Sequence, residues 1–111
     1  MMDKELAQKL KDAVWIGRSL FERNKTAGSS ANMSFFHDGR MYISQSGSCF
    51  GTLKEDEFAV MDMNGECLSS SKPSKEWPLH LKVYQKKPGT GAVLHTHGTY
   101  GAVSYTHLRA H

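Results

Sequence analysis

The 111-residue sequence contains only two cysteines, Cys49 and Cys67, and they match no C-x-x-C spacing. A disulfide scaffold, a redox dithiol and a cysteine-rich zinc module are therefore excluded. No apolar run approaches the roughly 18 residues that a membrane helix needs. The start, Met1-Met2-Asp3-Lys4-Glu5, lacks the apolar stretch of a secretory signal. Charge of one sign is also scarce. The 14 Lys+Arg and 11 Asp+Glu leave a formal +3 that is spread along the chain, which argues against nucleic acid and against an anionic membrane surface as partners. No internal repeat, low-complexity tract or linker interrupts the sequence. What remains, with 39% hydrophobic residues, is a single domain with a core of its own. A cytoplasmic location is expected.

Leu6, Leu10, Ala13, Val14, Gly17, Leu20 and Phe21 recur at three- and four-residue steps and predict a helix, with Asp3 as its N-cap. Residues 24–30 read as loop. Asp38-Gly39 predicts a tight turn between strands Asn32–His37 and Arg40–Ser44. Asn64-Gly65 predicts a second hairpin, from Phe58–Met63 to Glu66–Ser69. A helix follows Pro73, carries Glu76, Leu79, His80, Val83 and Tyr84, and ends near Pro88-Gly89; Pro78 is tolerated in its first turn. The last predicted strand is Ala92–His97. Trp15, Phe21, Phe35, Phe58 and Tyr84 are expected in the core, His37 in solvent, and both cysteines as buried thiols. His80 is expected against Leu79 and Val83 or in solvent. This order predicts an α/β fold whose sheet is mainly antiparallel or mixed and flanked by helices.

Several residue groups could carry chemistry. His95 and His97, two apart on a strand, share one face, and two neutral imidazoles so placed can chelate a divalent transition metal. Two surface histidines at a strand end fit the same pattern. Glu76 is the candidate further ligand, although a carboxylate complementing the helix dipole also accounts for it. Ser74, Lys75 and the N–H groups that open the helix offer donors to a phosphate. Ser46-Gly47-Ser48 offers donors of the same kind. Ordinary turn chemistry explains both loops equally well.

Four stretches in register carry a resemblance: Thr26-Ala27-Gly28-Ser29-Ser30-Ala31-Asn32-Met33-Ser34, Ser46-Gly47-Ser48, Lys72-Pro73-Ser74-Lys75-Glu76 and His95-Thr96-His97. Together they resemble the class II aldolase family, whose fold is shared with the adducin head. The resemblance runs from Leu6 to about Gly101. It implies a three-layer α/β/α class II aldolase-like fold with a mixed, largely antiparallel sheet, here truncated, and a homo-oligomer, usually a tetramer. It implies phosphate contacts at Ala31, Asn32, Ser46, Gly47, Ser74 and Lys75, where Ala31 replaces the glycine usual before the asparagine. Glu76 falls on the acid/base carboxylate and on a metal ligand. His95 and His97 fall on metal-binding histidines, with zinc the implied cation.

The implied substrate is a phosphorylated sugar acid or sugar. Ser46-Gly47-Ser48-Cys49-Phe50-Gly51 together with Lys75 most resemble the members that decarboxylate 3-oxo-tetronate 4-phosphates. A fuculose-phosphate-type aldolase, a ribulose-phosphate 4-epimerase and a non-enzymatic adducin-like module are the alternatives. The family's third metal histidine lies downstream of this chain's last residue. Residues 1–102 are therefore expected to be the N-terminal part of such a domain, inactive alone. Residues 103–111 are expected to be a non-native tail, in which His107 and His111 are not ligands.

Overall fold

A computed structural model describes residues 3–23 and 31–96, together with the backbone of 99–103. The apolar repeat near the N-terminus forms α1 (Lys4–Glu22). Its cap is the expected one: Asp3 Oδ1 accepts from the N–H of Glu5 at 2.8 Å and of Leu6 at 3.3 Å. The second carboxylate oxygen lies 2.8 Å from His37 Nε2. One residue thus caps the helix and ties it to the first hairpin. The bond to His37 and those from the backbone hold the Asp3 carboxyl below its usual range. His37, expected in solvent, is buried, bonded to this carboxylate and edge-on to the Tyr42 ring.

Strands β1 (Asn32–His37) and β2 (Arg40–Ser44) pair as expected, from Ser34 opposite Ile43 to His37 opposite Arg40. Asp38 (φ 51) and Gly39 (φ 78) adopt the left-handed backbone that a two-residue hairpin turn requires. Strand β3 (Phe58–Met61) pairs with β2. The return limb of the second hairpin departs from expectation, being a bent segment rather than a strand. It is held by a bridge from Met61 to Cys67 and by Leu68 N–H donating to Val60 O at 2.7 Å. The Ser69 hydroxyl then takes the Val60 N–H at 3.0 Å, so a side chain replaces the carbonyl that a continued ladder would supply. Helix α2 (Trp77–Lys86), β4 (Ala92–Thr96) and β5 (Thr99–Val103) follow. The sequence reading did not anticipate β5.

The five-stranded sheet has the order β3-β2-β1-β4-β5, and every pairing among the described residues is antiparallel. Strand alternation gives the sheet two apolar faces. On one, Met33, Phe35, Phe58 and Ala92 pack with Leu10 and Ala13 of α1 and with Phe50 and Leu53. On the other, Met41, Ile43, Ala59, Met61 and Val93 pack with Leu81 and Tyr84 of α2. The result is the three-layer α/β/α arrangement. Phe35, Phe58 and Tyr84 are core residues as expected, whereas Trp15 (53% exposed) and Phe21 (39% exposed) are not. The Phe21 ring lies over Gly51, where an added Cβ would meet it at 2.6 Å. Cys49 is half-buried and Cys67 exposed, so neither is the buried thiol expected.

Two leucine-sized side chains on the α2 side of the sheet separate core from surface. Ile43 is fully buried, so Ile43→Ala should lower unfolding free energy by about 2–5 kcal/mol. Leu79 is 49% exposed, and Leu79→Ala should change it by no more than about 0.5 kcal/mol. Urea denaturation reads both, and equal losses would contradict the layer assignment.

Candidate active site

One end of the sheet collects the candidate residues, and Ser44, the last residue of β2, is its hub. The Ser44 hydroxyl accepts the Met33 N–H of β1 at 3.1 Å, and its carbonyl accepts the Ser74 N–H at 3.0 Å. Just beyond, Gln45 bridges Pro73, and Ser46 N–H donates to Lys72 O at 2.9 Å. The Ser46-Gly47 loop and the Lys72-to-Glu76 loop are therefore stitched together by backbone bonds. Gly47 has φ +79, with nothing within 4 Å of a built Cβ. The left-handed backbone, not crowding, favours glycine there.

The Ser74 hydroxyl accepts the Glu76 N–H at 3.3 Å, which forms a tight entry into α2. Glu76 is the N-cap residue of α2, but its carboxylate makes no capping bond. The carboxylate therefore stands at the positive end of the helix dipole without acting as a cap. Lys75 is exposed and Glu76 half-buried beside it.

Ala31 and Asn32 are buried where β1 begins. Asn32 pairs with His95 across β1 and β4, and its Nδ2 lies 3.3 Å from His95 Nδ1. Its Oδ1 bonds His80 Nε2 from α2. The His80 Nδ1 lies 2.7 Å from Ser34 Oγ, which lies 2.8 Å from the Tyr84 hydroxyl. His80 is wholly buried, contrary to the expectation that it packs on Leu79 or Val83 or meets solvent. Its place is explained by polar partners on β1 that face α2. Sequence reasoning missed Ser34, Ser44, His80 and Tyr84 as part of this region. A signal existed for three of them: Asn32 and Ser34 alternate on one strand face, and His80 and Tyr84 repeat at i, i+4 on a helix.

Burial lowers the His80 pKa to about 4, and the neighbouring His95 adds to the shift. Burial also pushes the Tyr84 phenol well above its usual value, against the opposing bonds from Ser34 and the Val93 backbone. Both groups are thus neutral near neutral pH. Because the folded His80 resists protonation, the unfolded chain binds more protons between about pH 6.5 and 4. Stability should therefore fall as pH drops through that window, by about 3 kcal/mol from this group. Urea midpoints at several pH values read this slope. His80→Gln should flatten it, and a slope that survives the substitution would contradict the assignment.

An imidazole and carboxylate donor set suits zinc or a similar borderline cation. His95 and Glu76 stand on elements that meet at this end of the sheet, and with Nδ1 of His95 facing Asn32, Nε2 is the nitrogen suited to a cation. His97 and residues 24–30 lie outside the described residues, as do His107 and His111. Among the described residues no group of three or more His, Cys, Asp or Glu forms a metal-holding cluster. A cavity of about 20 Å³ under α1, lined by Ala13, Ile16, Met33 and Leu94 among others, lies on the opposite face. It has room for about one water and is no substrate site.

Comparison with known proteins bears on this arrangement. The chain is 41% identical over 97 residues to a 3-oxo-tetronate 4-phosphate decarboxylase of Haemophilus influenzae, a match covering 86% of this chain and 46% of that protein. It is 37% identical over 91 residues to an L-fuculose phosphate aldolase of Methanococcus vannielii, covering 82% of this chain and 50% of that one. The chain thus spans about half the length of the curated relatives it matches. The crystal structure of YgbL from Klebsiella pneumoniae superposes with a TM-score of 0.79 at 36% identity, over 83% of this chain and 45% of that one. YgbL from Escherichia coli gives a TM-score of 0.81 at 33% identity, over 86% and 47%. Residues 11–109 match the Class II Aldolase and Adducin N-terminal domain, and the chain belongs to that family.

Proposed function

We propose that this chain is the N-terminal part of a metal-dependent lyase that converts a 3-oxo-tetronate 4-phosphate to dihydroxyacetone phosphate and CO2. The observation that carries the reading is the joining of the Ser46-Gly47 and Ser74-Lys75-Glu76 loops at the sheet end where Asn32 meets His95. The decarboxylase relative from Haemophilus influenzae, at 41% identity, supports this reaction over the others of the family. The whole enzyme is proposed to be a cytoplasmic homo-oligomer.

In this reading the Ser46 and Ser74 hydroxyls, the Gly47 N–H and the Lys75 ammonium grip the substrate phosphate beside Ala31 and Asn32, while the N–H groups of Ser46 and Ser74 hold the two loops to Lys72 and Ser44. That remote binding orients the bond to be broken. His95, His97 and Glu76 would hold the cation, most suitably zinc. When bound, zinc supplies Lewis-acid withdrawal of electrons from the C3 carbonyl. The C1–C2 bond breaks, its electron pair moves into that carbonyl to give an enediolate, and CO2 departs. Glu76 then passes a proton to C2.

A second reading keeps the site and changes the leaving group. An aldolase would release an aldehyde from the same kind of enediolate, and the Methanococcus vannielii relative supports it. A chimera separates the two, with this chain supplying its matched segment and the Haemophilus influenzae relative the remainder. Phosphate-dependent release of CO2 from 3-oxo-tetronate 4-phosphate is expected, and Glu76→Gln should slow it at least roughly a hundredfold. Cleavage of fuculose 1-phosphate without CO2 release would favour the aldolase, and neither activity would overturn the lyase reading.

A further inference from the structure

Asn64 stands in the turn that follows β3, and the next residue is Gly65. Successive backbone N–H groups of this turn all end on one residue, Asp62. Those of Asn64 and Glu66 each donate to Asp62 Oδ1 at 2.9 Å, and that of Gly65 donates to Asp62 O at 3.2 Å. The Asn64 side chain is exposed, and its amide makes no hydrogen bond among the described residues. An asparagine amide is chemically labile when the backbone nitrogen after it can reach the amide carbon. Here that nitrogen belongs to glycine, which has no side chain to shield it and whose backbone turns freely.

We propose that Asn64 is a self-modification site, converted by the Gly65 nitrogen at a rate that Asp62 sets. The Gly65 nitrogen gives its proton to a solvent base, and its electron pair forms a bond to Asn64 Cγ. The bond from Cγ to the side-chain nitrogen breaks, and that nitrogen takes a proton from solvent and leaves as ammonia. Water then opens the resulting cyclic imide at either carbonyl. One opening leaves aspartate, and the other leaves isoaspartate, whose main chain runs through the side-chain methylene. Nothing is oxidised or reduced, and water is the co-reactant.

The turn governs both the rate and the consequence. While the Gly65 N–H points to Asp62 O, its nitrogen cannot attack, so the turn must first open locally. The two N–H groups on Asp62 Oδ1 oppose that opening. Gly65 (φ +88) also lies under Trp77, the first residue of α2, whose indole stands 3.2 Å from the place a Cβ would occupy. Gln85 of α2 donates to Met63 O at 3.0 Å. An isoaspartate linkage adds a methylene to the main chain at this contact and so displaces Trp77, the neighbour of Glu76. Aspartate leaves the main chain at its original length.

The test uses the 111-residue chain without metal or substrate, incubated in mildly alkaline buffer and followed by peptide mass spectrometry. Position 64 is expected to show the mass change of NH replaced by O, as aspartate and isoaspartate together. Asn24 and Asn32, which precede Lys25 and Met33, should stay intact. Conversion should run severalfold faster in urea, where the bonds to Asp62 are gone, and severalfold faster in Asp62→Ala. Asp62→Asn keeps an oxygen that can accept the same N–H groups and should return the rate to that of the unaltered chain. In nitrogen–proton spectra the Trp77 indole signal should move as isoaspartate accumulates, whereas Asn64→Asp should leave it in place.

An Asn64 that stays intact in buffer, or converts no faster than Asn24, overturns the site. Equal rates in buffer and in urea overturn the control by Asp62, and this comparison serves if Asp62→Ala fails to fold. A rate unchanged in a folded Asp62→Ala overturns it as well. None of these measurements depends on lyase activity.

Discussion

Everything at the site end of the sheet depends on one buried amide. Asn32 begins β1, the central strand, and its two polar atoms are divided between α2 and β4. An amide in that position cannot be replaced by an apolar residue without leaving both imidazoles short of a partner, and unmet polar groups in a buried layer are costly. The same placement joins the outer helix to the strand that carries the metal-ligand candidate. Packing supplies most of the stability, through the two apolar faces of the sheet, but packing is indifferent to direction. The polar chain through Asn32 gives the α2 layer its register.

The family's chemistry suits this arrangement. Loops that bind a phosphate need N–H groups and hydroxyls free of strand pairing yet held in place. Here Ser44 does the holding: it closes β2, fastens the start of β1 and receives the backbone of the Ser74 loop. The two polar loops are therefore anchored within a residue or two of the sheet. Remote binding energy can orient a reacting bond only when the groups that bind and the groups that react share such a frame.

Much of this was legible in the sequence, for physical reasons that differ between elements. Helix α1 declared itself because its apolar residues must line one stripe and Asp3 must cap it. The first hairpin declared itself because Asp38-Gly39 tolerates positive φ. The second hairpin misled because Ser69, an ordinary serine by sequence, diverts the ladder at Val60. Trp15 and Phe21 were misplaced because size and hydrophobicity do not say which edge of a helix faces inward. His37 and His80 were misread because their partners, Asp3 and the Asn32–Ser34 pair, lie 34 and 46–48 positions away. A lone histidine gives no local sign of such a partner. The candidate site was readable only as four short stretches in register, and the hydrogen bonds that join them are long-range.

The central claim is that Asn32 and His80 act as one unit that couples α2 to the sheet. A double-mutant cycle tests it most directly, with unfolding free energies measured for the unaltered chain, Asn32→Ala, His80→Ala and the double variant. The account predicts a coupling energy of at least about 1 kcal/mol, since either truncation removes the bond that the other side chain makes to it in a buried layer. Losses that add to within about 0.5 kcal/mol would contradict it.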